Sequence, residues 1–217
     1  MSDLVFDSDD FGCNHVISDL CQSHDCRDML MLFKEANPKF KATLFAIPGE
    51  MTVELGQWVL KNRDWIELAV HGFFHESNYE CSHIDSEVEF AMQIEHPVIK
   101  SMIEAYFVKG FKAPGWQIGS GCYQWLLENG WWVADQAYND WRRPKKLKAY
   151  VNNNGRFNVY YDNNISDDTP ASHHHTWDTV GNGVYEQKDY ILDLIKDVQE
   201  FKFVSEIINE KVETFPV

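Results

Sequence analysis

At 217 residues, with 44% hydrophobic and 24% charged side chains, the chain has ordinary globular composition and enough length for one sizeable core, so a single domain over residues 1–217 is expected. Its formal net charge of -15 argues against nucleic acid as a partner, because a nucleic-acid binder displaces phosphate counterions with Lys and Arg. No apolar run approaches the ~20 residues of a membrane helix, no secretory leader pattern precedes the first strand, and five Cys without CxxC spacing suit a reducing compartment; the expectation is a cytoplasmic protein with no membrane partner.

Residues 4–7 predict a short apolar strand that runs into a carboxylate cluster. Residues 27–36 have helical spacing, with Met29, Leu32 and Phe33 as core positions. Residues 42–47 read as a buried strand closed by Pro48-Gly49, and Thr52 is placed to cap a helix that carries Leu55, Trp58 and Val59 inward. Residues 65–70 form another apolar strand that ends at His71. A helical pattern over 85–105 must break or kink at Pro97. A strand over 106–111, a helix over 120–128 stopped by Asn129-Gly130, and a strand over 131–134 follow. Residues 142–154 read as an excursion, 157–161 and 170–175 as short strands, 189–199 as a helix, and 201–208 as a last strand.

Strands alternating with helices predict an α/β fold with a largely parallel sheet. Asp9-Asp10, His71, Lys112 and Asp135 each follow a predicted strand directly. Parallel sheets and barrels place their sites at the carboxyl ends of strands, so these residues are expected to converge on one rim.

Three constellations carry the chemistry. In Phe6-Asp7-Ser8-Asp9-Asp10-Phe11-Gly12, three carboxylates crowd four positions, which is costly unless a cation or hydrogen bonds compensate. Read blandly, this is an exposed acidic turn with Asp7 as a cap. In His71-Gly72-Phe73-Phe74-His75-Glu76, two His four apart have the spacing to grip one metal from one face of a helix or turn. An Asp with two His leaves coordination positions open, as catalytic metals require, and imidazole with carboxylate suits zinc among the divalent ions. In Ser172-His173-His174-His175, a strand would turn His173 and His175 to one face and His174 to the other. One of them could protonate a leaving group near neutral pH; the bland alternative is a His-rich loop or an adventitious metal site.

Together these motifs resemble the polysaccharide-deacetylase family of carbohydrate esterases. That family has an Asp-Asp pair on its first strand, matched by Asp9-Asp10, and a His-x-x-x-His after a later strand, matched by His71 and His75. An Arg-x-Pro-type motif, an Asp-bearing motif and a late strand with a catalytic His follow, where this chain has Lys112-Ala113-Pro114, Asp135 and His173 to His175. The resemblance implies a distorted, partly open (β/α) barrel and a small divergent member of the family. It implies a divalent metal, most readily Zn2+, on Asp10, His71 and His75, and Asp9 as general base. It also implies His173, with His175 close behind, as general acid, and Lys112 partnered by Asp135 as the group that orients Asp9. The implied activity is removal of an acetyl group from an N-acetylated sugar or glycan, with Pro114 and Trp116 at the substrate and Trp141 or Trp177 as further stacking surfaces. Two departures stand out: Lys112 replaces Arg and loses its two-pronged contact, and Gly72 replaces a hydroxyl residue that braces the loop. Two other readings use the same residues: a metal-binding module that recognises glycan or protein with little catalysis, and an amide hydrolase of non-sugar substrates.

Overall fold

The structure, a computed structural model, describes residues 3–12, 16–18, 21–22, 26–74, 80–116, 118–135, 159–160, 171–176 and 183–207. In chain order the strands are β1 Asp3–Phe11, β2 Val16–Ser18, β3 Cys21–Gln22, β4 Ala42–Ala46, β5 Ile66–Val70, β6 Gly110–Lys112, β7 Trp132–Asp135, β8 Val159–Tyr160, β9 Ala171–His175 and β10 Glu200–Lys202. The helices are α1 Arg27–Ala36, α2 Val53–Lys61, α3 Glu87–Ile94, α4 Pro97–Tyr106, α5 Ser120–Glu128 and α6 Lys188–Ile195. Among the described residues the main sheet runs β10-β1-β4-β5-β6-β7-β8, with β9 also paired to β1 and every pairing in it parallel. β2 and β3 form a separate antiparallel ribbon.

Local chemistry sets the elements. Thr52 accepts a hydrogen bond from the Leu55 N–H and so starts α2, and Pro97 at the first turn of α4 separates it from α3. α1 buries Phe33 as expected, but Leu30 takes the other inward position in place of Leu32, and Met29 packs only partly. The expected strand over 106–111 is shorter and later: Tyr106 still belongs to α4, which caps on the Phe107 N–H, and β6 begins at Gly110. The expected last strand ends at Lys202, and residues 204–207 form a helical turn. The expected excursion over 142–154 lies outside the described residues.

In-register neighbours in a parallel sheet share a face. Val5, Asp7 and Asp9 of β1 therefore look the same way as Thr43 and Phe45 of β4, Glu67 and Ala69 of β5, Lys112 of β6 and Ala134 of β7. Val5, Phe45, Ala69, Trp132, Ala134, Val204 and Ile207 pack as one buried cluster on that side. The opposite face lies under two larger clusters, one built with α1, α2 and α6 and the other with α3, α4 and α5. Curl is visible in one contact. Lys112 Nζ lies 2.7 Å from Asp7 Oδ1, although β4 and β5 stand between β6 and β1. In a flat sheet three strand spacings would set their backbones about 14 Å apart, beyond what the two side chains can span to a 2.7 Å contact. The sheet is thus wound into a partly open barrel, with helices outside and the side chains named above inside.

Candidate metal centre and active site

β1 does not end at the acidic cluster; it carries the cluster inside the barrel. Strand alternation turns Asp7 and Asp9 inward. It should turn Asp10 away, but Asp10 has φ 66, the left-handed region that a non-glycine residue adopts only under constraint. The β1–β4 register also shifts between Ser8 and Phe11. Thr176 clamps the bend, its N–H donating to Asp9 O (3.1 Å) and its hydroxyl to Asp10 O (2.9 Å). The distortion brings two successive carboxylates toward the same imidazole: Asp9 Oδ2 lies 3.8 Å and Asp10 Oδ1 3.5 Å from His71 Nε2.

Lys112 is fully buried and is the hub of the cluster. Its ammonium donates to Asp7 Oδ1 and Asp9 Oδ1, both at 2.7 Å, and sits 4.0 Å from the centre of the Phe45 ring. Burial pushes both carboxyls upward, but Lys112 and the neighbouring imidazoles outweigh it and hold each below its ordinary range. Asp7, read from sequence as a cap, is therefore part of the site. Among the described side chains, the carboxylates that accept from Lys112 are Asp7 and Asp9. Asp135 ends β7, and its side chain lies outside the described residues.

β9 contains all three late His residues, as the predicted strand over 170–175 implied. It pairs with β1 in the register Asp7↔His173 and Asp9↔His175, which sets two Asp–His couples side by side on the inner face. The His173 Nδ1 lies 2.7 Å from Asp7 Oδ1, and its Nε2 lies 3.8 Å from Asp9 Oδ2. The His173 and His175 ring centres are 4.9 Å apart. Burial pushes the His175 imidazole down. His174 faces the other way, stacks on Phe6, pairs with the Ser172 hydroxyl, and is lowered by burial to about 4.

His71 follows β5 in a loop and not on a helix. Its Nδ1 lies 3.0 Å from Lys112 O, which takes the ring N–H and leaves Nε2 as the lone-pair nitrogen toward Asp9 and Asp10. Glu80, not singled out by sequence, braces this loop by accepting from the Phe73 and Phe74 N–H groups at 3.0–3.2 Å. Gly72 makes room for that brace: it has φ 68, and a Cβ there would meet Glu80 Oε2 at 2.5 Å and Pro114 Cγ at 2.7 Å. Pro114 is buried against the same loop. Glu80 thus braces the loop from the space that Gly72 leaves open. His75 and the side chain of Trp116, like Trp141 and Trp177, lie outside the described residues.

The donor set fits a divalent cation. The 3.5 and 3.8 Å gaps between imidazole nitrogens and carboxylate oxygens are too long for hydrogen bonds. They approach the separation of about 3.4 Å between two ligands of one tetrahedral ion with bonds near 2.1 Å. Asp7, Asp9 and Asp10 against Lys112 also leave two formal negative charges, which one dication balances.

Against solved structures, the barrel has clear counterparts. It covers 97% of this chain and 92% of a family 4 acetyl xylan esterase from Clostridium thermocellum in complex with a cobalt ion, at 16% identity and a TM-score of 0.58. The fold is that of the family 4 carbohydrate esterases. A chitin deacetylase from the fungal pathogen Colletotrichum lindemuthianum matches at 13% identity and TM-score 0.54, covering 95% of this chain and 87% of that one. A mutant family 4 pseudoenzyme with restored enzymatic activity matches at 12% identity and TM-score 0.59, covering 95% and 67%. No protein-family model and no curated protein matches the sequence. Likeness to the family 4 esterases at such identities is one of fold, and a fold hosts more than one activity.

Proposed function

We propose that the chain is a metal-dependent hydrolase that removes an acetyl group from an N-acetylated sugar or a related small glycan. The observation that carries this reading is the position of Asp9: its Oδ2 stands 3.8 Å from the Nε2 of both His71 and His173, while its Oδ1 is held by Lys112. One carboxylate thus lies between an imidazole suited to a metal and an imidazole suited to proton transfer. Asp10, His71 and His75 would hold the ion, for which we favour Zn2+. When bound, it acidifies a water and polarises the amide carbonyl.

Asp9, kept anionic by Lys112, takes the proton of the attacking water. His173 returns a proton to the departing amine. We place this role on His173, ahead of His175, because the Asp7 carboxylate on Nδ1 fixes its ring and tautomer and leaves Nε2 facing Asp9, the arrangement of an oriented acid–base imidazole. Lys112 and Asp7 act through Asp9 and His173 and are positioning residues. No helix among the described residues is long and apolar enough to cross a membrane. We place the protein in the cytoplasm, a reading supported by Cys81 and Cys122 standing buried as thiols without a disulfide.

Acetate release from a panel of N-acetylated sugars, with and without chelator, tests the proposal. Release by protein loaded with one equivalent of metal, lost on chelation and reduced about 100-fold or more in Asp9→Asn with that one equivalent retained by elemental analysis, is expected. Metal-loaded protein that releases no acetate from any of them would sink it. A metal-binding recognition module is the second reading, favoured by the fold likeness to a pseudoenzyme and by a buried Lys at position 112.

A further inference from the structure

We infer that Asp9, His173 and His175 form a second divalent-cation site beside Asp10 and His71, and that an ion there suppresses turnover by occupying the groups assigned to proton transfer. Ligand-type atoms of these three residues all lie within 4.8 Å of one another. Side-chain rotations of roughly 1 Å close that spread to the separation of about 3.4 Å that one tetrahedral ion requires. The three residues stand on two adjacent paired strands, Asp9 opposite His175 and His173 one inward position before it, so the backbone already presents them together.

Their orientation is that of ligands. The Asp7 carboxylate takes the Nδ1 side of His173, the support that metal-bound imidazoles characteristically receive, and leaves Nε2 for an ion. Lys112 takes Asp9 Oδ1, so it is Oδ2 that faces His173 Nε2. Two imidazoles and one carboxylate select Zn2+ or Co2+ over Mg2+ or Ca2+, which prefer all-oxygen sites. Charge makes this site the weaker one. The first dication balances the local excess of carboxylates over Lys112, and a second leaves the buried cluster positive with an ammonium 2.7 Å from the shared Asp9.

The inference rests on the reading of this cluster as a metal centre but not on the substrate, and its test reads metal, not product. Metal-free protein is titrated with Zn2+ and separately with Co2+, with calorimetry and elemental analysis at fixed free-ion concentrations. Two equivalents are expected, the second at least tenfold weaker, and Mg2+ at the same concentrations should displace neither. His175→Ala should lose the second equivalent and keep the first. His71→Ala should weaken the first at least tenfold and keep the second. If circular dichroism finds His175→Ala unfolded, Asp9→Asn replaces it, with the same expected loss. A single equivalent through a hundredfold excess of Zn2+, or a folded His175→Ala that still binds two, overturns the proposal. Where turnover is measurable, it should peak near one equivalent and decline as the second binds; turnover undiminished at two equivalents overturns the suppression. A protein that binds two ions yet releases no acetate even at one equivalent would defeat the deacetylase reading and leave the second site standing.

Discussion

The carboxyl mouth of the barrel buries Asp7 and Asp9 against the Lys112 ammonium and holds both below the ordinary carboxylate range. The opposite mouth buries Glu67 among hydroxyls and lets it rise to about 7. Burial raises all three. What differs is the partner. Glu67 accepts from the Thr43 hydroxyl at 3.0 Å and from the Ser205 hydroxyl and N–H, with no cation beside it among the described residues, so desolvation wins. The lower mouth is a seam: Thr43 also accepts from the Val204 N–H, so the pair ties the turn at 204–207 to β4 and β5. A neutral acid suffices for that. In the proposed mechanism the upper mouth needs fixed charge, because anions there would hold a cation and accept a proton.

Substitutions at the two ends should break this contrast in different ways. Lys112→Met has the largest expected effect, since it strands two buried carboxylates; we expect a loss of about 3–5 kcal/mol in urea unfolding, with activity lost as well. A loss below about 1 kcal/mol would mean that the ammonium is not what makes the upper mouth tolerable.

Glu67→Gln should act with the opposite sign. The Glu67 carboxyl rises from 4.5 to about 7 on folding, so the folded state binds the proton more tightly. Stability from this group is complete below pH 4.5 and is lost as pH rises to about 7. The glutamine keeps a neutral hydrogen-bonding group at all pH. The variant should match the wild type near pH 4.5 and exceed it by about 1–3 kcal/mol at pH 8, read from urea midpoints at the two pH values. A constant difference between the two would place the charge elsewhere.

The smallest expected effect sharpens the upper mouth alone. Glu80→Ala removes the acceptor of the Phe73 and Phe74 N–H groups next to His71. Metal affinity should fall about tenfold with global stability lowered by only about 1 kcal/mol, measured by metal titration and unfolding in parallel. Unchanged affinity would make Glu80 a loop staple without reach into the site.

Much of this was legible in the linear order of residues. Alternating strand and helix periods predicted the parallel α/β architecture, and Thr52, Pro97 and Asn129-Gly130 marked boundaries because capping and ring geometry act over a few residues. Asp9, Asp10, His71 and Lys112, with Asp135, were expected on one rim because parallel strands gather their carboxyl ends there, and the family resemblance added His173 and His175. Other features depend on pairing register and sheet curl, which couple residues more than a hundred positions apart. Nothing near Asp7 in sequence distinguishes it from a surface cap; only the β1–β9 register sets it on His173, and only the curl brings Lys112 to it. The left-handed turn at Asp10, Glu80 in the space left by Gly72, and the choice of charge for Asp9 but neutrality for Glu67 are likewise tertiary. Local sequence determines which residues can do chemistry and roughly where strands end. Which of them meet, and which proton each keeps, is decided by burial and by the charges that the fold places beside it.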